Sequence, residues 1–321
     1  MLTVATGLFW YGACSAVLSG SAKTRTATGV REAFVTSQLA DALSIIDLAS
    51  MKSVAEVKIS GRPAGIAVAP GGKHAYVTSP ESKELIIIDT ARRAIVRRLQ
   101  VGRGPLGIAY SPKDNRVWIA DWYDHKILVR DGDTGETLGE VAVGKSPSGV
   151  AVTPDGRYVL SADRDSNSVS IIDASTLKVT GTVTAGGHPF GITIDDTGTR
   201  AYTANVTSND VSVIDIAAQK LTSTVQVGSR PYGVALAQDR AFVTNQAAGT
   251  VSVIDLASLG VIATIPVGSY PEGIAASTDQ RFVYVACWDD NTLQRIDAKT
   301  LEVTATASTA EGPRAFGQFL Q

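Results

Sequence analysis

Few side chains in this sequence are suited to acid–base chemistry, and the histidines are the first to consider. His125 lies in the stretch ADWYDHKILVRD, residues 120–131, among carboxylates and aromatic side chains. His188 directly precedes a proline, and Glu272 directly follows another proline further along the chain. A histidine within hydrogen-bond reach of a carboxylate is the pairing of a general base with the group that orients it. Whether any of these residues meet depends on the elements that carry them.

A short motif, Pro-x-Gly followed by aliphatic residues, recurs along the chain. Its copies start at intervals of 42 residues, with one interval of 40 residues between the fifth and the sixth copy. The copies are PAGIAV at Pro63, PLGIAY at Pro105, PSGVAV at Pro147, PFGITI at Pro189, PYGVAL at Pro231, PEGIAA at Pro271 and a degenerate PRAFGQF at Pro313. Runs of the types AYVTN and VSVID keep the same step. Three marks that share one period indicate an internal repeat.

Each repeat unit is typical of four short β-strands. Strand A is the Pro-x-Gly-aliphatic run, strand B the AYVTN run, strand C the VSVID run and strand D a run of the KLTSTVQVG type. Val, Ile, Thr and Tyr are enriched in these strands, and Gly, Asp, Asn and Pro separate them. A period of about 40 residues with four strands per unit is that of a propeller blade. The sequence therefore predicts an all-β, seven-bladed β-propeller with four antiparallel strands per blade.

The ends of the repeat region predict how the ring closes. The first repeat unit, which starts at residue 31, begins at strand B and has no strand A before it. Residues 313–321 at the other end supply only a strand A. We expect this C-terminal strand to join the N-terminal blade, because an open ring would leave a free strand edge. The predicted domain is a single propeller over residues 31–321. Its blades span residues 31–60 plus 313–321, then 61–102, 103–144, 145–186, 187–228, 229–268 and 269–312.

The one shorter interval between copies also has a structural interpretation. The two residues that are missing fall between strands A and B of the sixth blade, where AQDRAF replaces the longer DDTGTRAY of the fifth. Both strands remain recognisable on either side. We therefore predict a shortened hairpin turn at this place and no loss of a strand.

Composition limits the classes of protein to which the chain can belong. A formal charge of −2 argues against a general nucleic-acid-binding surface, which is normally basic. Residues 1–22 are typical of a signal or leader segment that ends in small residues, and residues 23–30 of a linker. We expect export to the periplasm or beyond the cell, with no transmembrane domain in the mature chain. Removal of the leader would leave Cys287 as a single cysteine without a disulfide partner.

The repeat motifs resemble those of the YVTN family of seven-bladed β-propellers, and in particular of YncE-like periplasmic propellers. The motifs that carry the resemblance are AYVTS, AYTAN and AFVTN, together with VSVIDL and the Pro-x-Gly-aliphatic run. The resemblance covers about residues 31 to 321. It implies a mostly exported prokaryotic family, which includes surface-layer proteins and propeller subunits of amine dehydrogenases. Because propellers also carry lactonases and lyases, the fold alone does not decide between binding and catalysis.

One face of such a propeller collects the D–A and B–C connections and is the default ligand face. The side chains beside the prolines are small in the early copies and become aromatic or charged in the later ones. The predicted ligand-binding residues are Arg62, His188, Phe190, Arg230, Tyr232, Tyr270, Glu272 and Arg314, joined after strand B by Asp121, Trp122 and Trp288. Arginines of this set could hold a carboxylate or phosphate, and the aromatic rings could stack on a ring or a peptide side chain.

Two functions remain open on the sequence alone. The first is a monomeric binding or scaffold protein that recognises a protein, a peptide or a small anionic or aromatic ligand and needs no cofactor. The second is a lactonase-like lyase or hydrolase with His188, Glu272 and Asp163 as catalytic candidates and a divalent metal as its cofactor. No zinc-type spacing of His, Cys and Asp is present, so no metal site is predicted, and the first function is favoured.

The repeat also assigns a place to the stretch around His125. His125 aligns with Asp41, Lys83, Asn167, Asn209, Gly249 and Asn291. Asn, Asp and Gly at one position indicate a turn with positive φ between strands B and C. We therefore interpret His125 as a turn residue. The aspartate that ends every strand C is likewise interpreted as a turn-former that accepts bonds from nearby backbone N–H groups.

Overall fold

The computed structural model describes residues 1–2 and 32–321, and residues 32–321 form seven β-sheets arranged as the blades of a propeller. The predicted leader, apart from its first two residues, and the predicted linker lie outside the described residues. A single 3-10 turn, Arg164–Ser166, interrupts the strands of this part of the chain. No helix among the described residues has the length and apolar character needed to cross a bilayer.

Within each blade, strands that follow one another along the chain are antiparallel neighbours. The first four blades contain β1 Glu32–Ser37, β2 Ala42–Asp47, β3 Lys52–Lys58, β4 Gly65–Val68, β5 His74–Ser79, β6 Glu84–Asp89, β7 Ala94–Gln100, β8 Pro105–Ser111, β9 Arg116–Asp121, β10 Lys126–Asp131, β11 Thr137–Ala142, β12 Pro147–Val152, β13 Tyr158–Asp163, β14 Ser168–Asp173 and β15 Lys178–Thr184. The remaining strands are β16 Pro189–Ile194, β17 Arg200–Asn205, β18 Asp210–Asp215, β19 Lys220–Gln226, β20 Pro231–Ala237, β21 Arg240–Asn245, β22 Thr250–Asp255, β23 Val261–Pro266, β24 Pro271–Ala276, β25 Phe282–Cys287, β26 Thr292–Asp297, β27 Val303–Ser308 and β28 Phe316–Gln318. The predicted all-β, seven-bladed propeller is confirmed.

The C-terminal segment closes the ring, as the sequence predicts, and it does so with two partners. Antiparallel bridges join Pro313 to Ser37 and Leu320 to Ala33 at the two ends of β1. Between these bridges the segment turns towards the second blade, where β28 pairs in parallel with β4. The closing segment therefore completes the first blade and also binds it to the second.

The hydrophobic core lies between the blades. Strands A, B and C are buried on both faces, whereas strand D is largely exposed, as in β7. One cluster joins Tyr76 and Ile87 of the second blade to Ile108 and Ile119 of the third, and equivalent clusters follow around the ring. A sheet covered on both sides by neighbouring sheets requires apolar residues at successive positions, and runs such as GIAV and ELIIID meet this requirement.

The glycine of each Pro-x-Gly motif permits close approach of the next blade. A Cβ atom at Gly107 would lie 1.8 Å from the Ser148 carbonyl oxygen, and one at Gly149 would lie 2.4 Å from that of Phe190. Such distances are far inside van der Waals contact, so any side chain would push adjacent blades apart. The same contact recurs at the other copies and fixes the diameter of the ring at the channel.

The sixth blade carries the shortened A–B turn that the repeat spacing predicts. Only Gln238 and Asp239 separate β20 from β21, and both have positive φ, 51° and 57°. Two consecutive residues with positive φ match the tight hairpin turn whose twist suits flanking β-strands. The strands themselves are kept at ordinary length, so the prediction is confirmed.

Candidate functional site

One repeated hydrogen bond holds the D–A connections against the B–C turns. The residue before most of the prolines has a left-handed backbone, with φ of 53° at both His188 and Arg230. The His188 N–H donates to Asn167 Oδ1 at 2.8 Å, and the Arg230 N–H donates to Asn209 Oδ1 at 2.8 Å. Because each bond joins a D–A connection to a B–C turn, both sets of predicted site residues lie on one face, which we call the loop face.

His125 performs this structural task in the third blade. Its φ is 54°, and its Nδ1 accepts a hydrogen bond of 3.0 Å from the Ser146 N–H. The imidazole thus replaces the side-chain oxygen that Asn167 and Asn209 supply in their own blades. The interpretation of His125 as a turn residue is confirmed, and His125 is removed from the list of candidate catalytic groups.

An aromatic plug closes the channel at the loop face. The rings of Phe190 and Tyr232 lie 4.3 Å apart between centroids, and Phe316 lies 4.9 Å from Phe190. These three side chains are buried, and Leu106 and Trp122 pack against them. The contributing residues come from the first, third, fifth and sixth blades, so the plug crosses the channel. The structure places Phe190 and Tyr232, two of the predicted ligand-binding residues, beneath the surface of the loop face.

The buried Glu272 and the half-buried Arg314 form a charged pair beside the plug. Arg314 Nε lies 3.3 Å from Glu272 Oε2, without the alignment of a hydrogen bond, and Arg314 also donates to the Tyr232 hydroxyl. Gln246 Nε2 donates to Glu272 Oε1 at 2.7 Å. Burial raises the pKa of Glu272, and the Arg314 guanidinium opposes this rise. The structure places both of these predicted ligand-binding residues in one polar network with Gln246 and Tyr232.

The three catalytic candidates occupy separate environments. His188 Nε2 lies 4.0 Å from Asp165 Oδ1, while Glu272 is held by the network around Arg314. Asp163 is fully buried and accepts hydrogen bonds from the hydroxyls of Ser161 and Ser170. Burial raises the pKa of Asp163 to about 6. The structure therefore does not bring His188, Glu272 and Asp163 together as an acid–base set.

Asp121 also has a structural task within the repeat. Its carboxylate oxygens accept hydrogen bonds from the backbone N–H groups of Arg103 at 2.8 Å and Gly104 at 2.9 Å. The side chain is fully buried, like Cys287 at the equivalent position of the seventh blade. The structure thus shows Asp121, one of the predicted ligand-binding residues, holding the connection that leads into the third blade.

Apolar and aromatic side chains remain accessible around the plug, and we call this set the aromatic rim. Its members are Leu39, Trp122, Tyr123, Tyr270 and Trp288. Tyr123 is 62% exposed and Leu39 is 49% exposed, and the other three are half-buried. The ring centroids of Tyr270 and Trp288 lie 6.1 Å apart, and Cζ of Arg164 lies 5.5 Å from the centroid of the Trp122 ring.

The sequence prediction omitted Leu39 and Tyr123 from its list of binding residues. These two residues occupy the same position of the repeat, in the B–C turns of the first and third blades. The equivalent residues of the other blades are Glu81, Asp165, Thr207, Ala247 and Asp289. An apolar or aromatic side chain at a turn position that is mostly polar is the signal that would have identified them.

Charged side chains surround the aromatic rim, and most are paired. Arg62 lies 3.1 Å from Glu81, and Arg103 lies 3.3 Å from Asp124. Arg230 is exposed and forms no ion pair with a carboxylate in the part of the chain that the structure describes. Among residues 32–321, no three His, Cys, Asp or Glu side chains are grouped closely enough to hold a metal ion.

Comparison with known proteins identifies the family and the fold. Residues 14–116 and 139–241 match the family model described as YncE-like β-propeller. No curated protein matches the chain. Several solved structures match the chain at sequence identities below 20%, and a likeness at such identities shows the fold alone.

Three of these solved structures illustrate the likeness. Hydrazine synthase from Kuenenia stuttgartiensis gives a TM-score of 0.75 at 19% identity, covering 86% of this chain and 98% of that chain. A functionally unknown protein from Desulfotomaculum acetoxidans DSM 771 gives a TM-score of 0.76 at 14% identity, covering 89% of this chain and 100% of that chain. Dihydro-heme d1 dehydrogenase NirN in complex with DHE gives a TM-score of 0.67 at 15% identity, covering 88% of this chain and 74% of that chain.

Proposed function

The chain belongs to the YncE-like β-propeller family, and we propose that it is an exported binding protein whose loop face docks a protein or peptide segment. The observation that carries this proposal is the aromatic rim: Leu39, Trp122, Tyr123, Tyr270 and Trp288 stay accessible on one face of a closed ring. Trp, Tyr and Arg are the residues that contribute most to binding at protein interfaces.

The shape of the loop face favours an extended partner. Phe190, Tyr232 and Phe316 fill the channel here, so the channel itself offers no space at this face in which a small molecule could be enclosed. Small-molecule sites usually bury most of the ligand in a cleft. A peptide or protein surface can instead contact several blades at once and bury Trp122 and Trp288 together.

Charge adds a preference to this docking surface. Arg230 is exposed and unpaired among residues 32–321, whereas Arg62 and Arg103 already have carboxylate partners on the same face. An acidic group of the partner would gain a charge-assisted hydrogen bond from Arg230 without first breaking an ion pair. The proposed partner is therefore a segment with apolar or aromatic side chains and at least one carboxylate.

The enzymatic alternative has less support. A lyase or hydrolase built on His188 and Glu272 would need the two side chains to act on one substrate, but His188 faces Asp165 and Glu272 faces Arg314. The similar solved structures that are named for enzymes share the fold with this chain, and a shared fold does not transfer an activity.

Site-specific crosslinking in the cells that make the protein tests the proposed docking surface. The photoreactive residue p-benzoylphenylalanine is placed at Tyr123, which is exposed on the loop face. We expect a discrete crosslinked product that is lost when Trp122→Ala or Trp288→Ala is added to the same chain, because these rings would form the adjoining contact.

A matched control places the same photoreactive residue at Tyr158, at the start of β13 on the opposite face of the ring. That position should give no product of the same mass. Equal products from both positions, or a Tyr123 product that persists in the Trp122→Ala and Trp288→Ala chains, would contradict docking at the aromatic rim.

Export is part of the proposal and has its own test. The predicted leader at residues 1–22 ends in small residues that suit a signal-peptidase cut. We expect the protein in the osmotic-shock fraction, with an N-terminus near Lys23 when it is sequenced by mass spectrometry. A protein that stays with the cytoplasmic fraction and keeps residues 2–22 would contradict export.

A further inference from the structure

Below the aromatic plug, the channel widens into a cavity of about 520 Å³. The inner strands of the blades form its wall, and Phe316 and Glu272 lie at its closed end. Residues of the A–B turns, among them Pro70, Pro154 and Asp196, also line it. The cavity therefore opens on the face opposite the loop face. Its volume falls in the range of about 300–1,000 Å³ that is usual for small-molecule sites.

One position of strand A that lines the cavity is small in every blade. The fifth residue of each Pro-x-Gly copy lies on the channel wall: Ala67, Ala109, Ala151, Thr193, Ala235, Ala275 and Gly317. Larger side chains at these places would fill the space, as Phe190, Tyr232 and Phe316 do at the loop face. The wall exposes aliphatic side chains such as Ile108, Val150 and Ile274 together with polar groups in nearly equal share, so it suits a guest that has both an apolar and a polar part.

The charged residues of the cavity wall are both acidic. They are Glu272 at the closed end and Asp196 near the opening, and no Lys, Arg or His lines the cavity. Glu272 is already bound by Gln246 and paired with Arg314. Asp196 is exposed, so its carboxylate remains available to a molecule in the opening. An anion would meet two acidic side chains and no cationic side chain on this wall, whereas a cation would be attracted.

The shortened turn of the sixth blade shapes the opening. Because that turn is short, Gln280 of the seventh blade reaches across it, and its Nε2 donates to Asp196 Oδ2 of the fifth blade at 2.9 Å. Gln280 Oε1 accepts from the Gln238 N–H of the short turn at 3.0 Å. This bridge holds the Asp196 carboxylate at the side of the opening, which fixes the position of the negative charge.

We propose that this cavity binds a small molecule with an apolar, ring-sized body and a cationic amine, with the body among the alanines and the amine beside Asp196. The site lies on the opposite side of the plug from the aromatic rim, so it is independent of the proposed docking function. Burial of the body in the channel would supply most of the affinity, and Asp196 would select the charge of the head group.

Three probes with one ring system and different head groups test the assignment. They are 2-naphthylmethylammonium, 2-naphthylmethanol and 2-naphthoate, each titrated into the purified protein and followed by naphthalene fluorescence and equilibrium dialysis. We expect saturable binding of the ammonium and the alcohol, with the ammonium about threefold to fivefold tighter, since Asp196 is exposed and screened by solvent. The naphthoate should bind at least about tenfold more weakly than the ammonium.

Variants separate the body from the head group. Ala151→Phe and Thr193→Phe fill the channel from two different blades and should each abolish saturable binding of all probes. Ala94→Phe, the same kind of enlargement on the exposed outer strand β7, should bind as the wild type does. Asp196→Asn should keep the binding of the alcohol and remove the advantage of the ammonium.

The result that would overturn the cavity site is either the absence of saturable binding to the wild-type protein or wild-type affinity in folded Ala151→Phe and Thr193→Phe proteins. Equal affinity for the ammonium and the naphthoate would overturn the assignment of charge selection to Asp196. Thermal unfolding of each variant, compared with Ala94→Phe, shows that a loss of binding does not reflect a loss of folding.

Discussion

At the residue scale, most B–C turns combine a backbone of positive φ with a side-chain acceptor, and His125 supplies both. Asn and Asp are the usual residues for this combination, and the repeat uses them at Asn167, Asn209 and Asp41. A histidine with neutral Nδ1 offers an acceptor at a similar reach. The alignment of the copies was sufficient to predict the turn, but only the structure reveals the acceptor role of the imidazole.

The first prediction concerns the turn at His125. His125→Asn should change the free energy of unfolding by less than about 0.5 kcal/mol, because the amide restores the usual residue. His125→Val should cost about 2 kcal/mol, from a β-branched residue at positive φ together with the lost bond to the Ser146 N–H. Urea unfolding measures both changes.

Lys83 offers a matched control for this prediction. It occupies the same turn position with φ of 59°, and its side chain is exposed. Lys83→Val therefore tests the backbone contribution alone and should cost about half as much as His125→Val. Equal losses at the two positions would show that the imidazole acceptor contributes nothing to stability.

Asp163 is an acid in a position where the cleanest copies of the repeat carry asparagine. Asn205 Nδ2 donates to Ser212 Oγ at 2.9 Å, and Asn245 Nδ2 donates to Ser252 Oγ at 2.9 Å. Asp163 instead accepts from Ser170, and its burial raises its pKa to about 6. At neutral pH the folded protein must therefore hold a buried charge that an asparagine would avoid.

The second prediction is a pH dependence that originates at Asp163. The folded pKa, about 6, lies above the ordinary value of 3.8, so the folded state keeps a proton that the unfolded state has lost. Stability should fall as pH rises from about 4 to 6, by up to about 3 kcal/mol. Asp163→Asn should abolish this fall, and chemical denaturation between pH 4 and pH 8 measures it.

Asp121→Asn serves as the control, because Asp121 accepts from two backbone N–H groups and an amide can replace only one of its oxygens. This variant should be destabilised at pH 7, whereas Asp163→Asn should be stabilised. A wild-type profile between pH 4 and pH 6 that Asp163→Asn leaves unchanged would contradict the assignment.

At the element scale, the inner strands depend on a glycine at each point where one blade meets the next. The sequence marks this position in the Pro-x-Gly motif, but the periodicity does not distinguish a turn requirement from a contact requirement. The structure decides between them, since Gly149 and Gly191 have no positive φ and each faces a carbonyl oxygen of the following blade at 2.4 Å from a would-be Cβ.

The third prediction tests this contact requirement. Gly149→Ala should destabilise the protein by more than about 2 kcal/mol or prevent folding, because its methyl group would overlap the Phe190 carbonyl oxygen. Gly260→Ala is the control, since the nearest atom to its would-be Cβ lies 3.5 Å away. Thermal unfolding compares the two, and similar melting temperatures would contradict a steric role for Gly149.

At the scale of the whole molecule, the sequence predicts the ring well and its openings poorly. The ring is predicted from the repeat, and a repeat can be recognised in a sequence because every copy must pack against its neighbours in the same way. The openings depend on single departures from the repeat. Phe190 and Tyr232 meet Phe316 across the channel because of the ring diameter, which results from the contacts of all the blades together and is not given by any single motif.

The same limit explains why the sequence did not reveal the pairing of Glu272 with Arg314. Each of these residues follows the proline in a single copy of the motif. Considered alone, each is typical of an exposed binding residue. They are neighbours only because the C-terminal segment returns to the first blade and places Arg314 beside the seventh. A pairing that depends on ring closure is visible in the sequence only to the extent that closure itself is predicted.

The last prediction concerns that closure. Deletion of residues 313–321 removes the backbone partners of β1, the buried Phe319 and Leu320, and the Phe316 ring of the plug. The exposed edge of β1 would then be free to pair with another chain, and the seventh blade would lose its covering neighbour. We expect loss of the cooperative melting transition or formation of oligomers, measured by calorimetry and by light scattering after size exclusion.

A synthetic peptide of residues 313–321 in excess should restore part of the transition, because the other blades keep their own strands. A truncated monomer with the wild-type melting curve would contradict a structural role for the closing segment, and it would also require another explanation for the charged pair of Glu272 and Arg314.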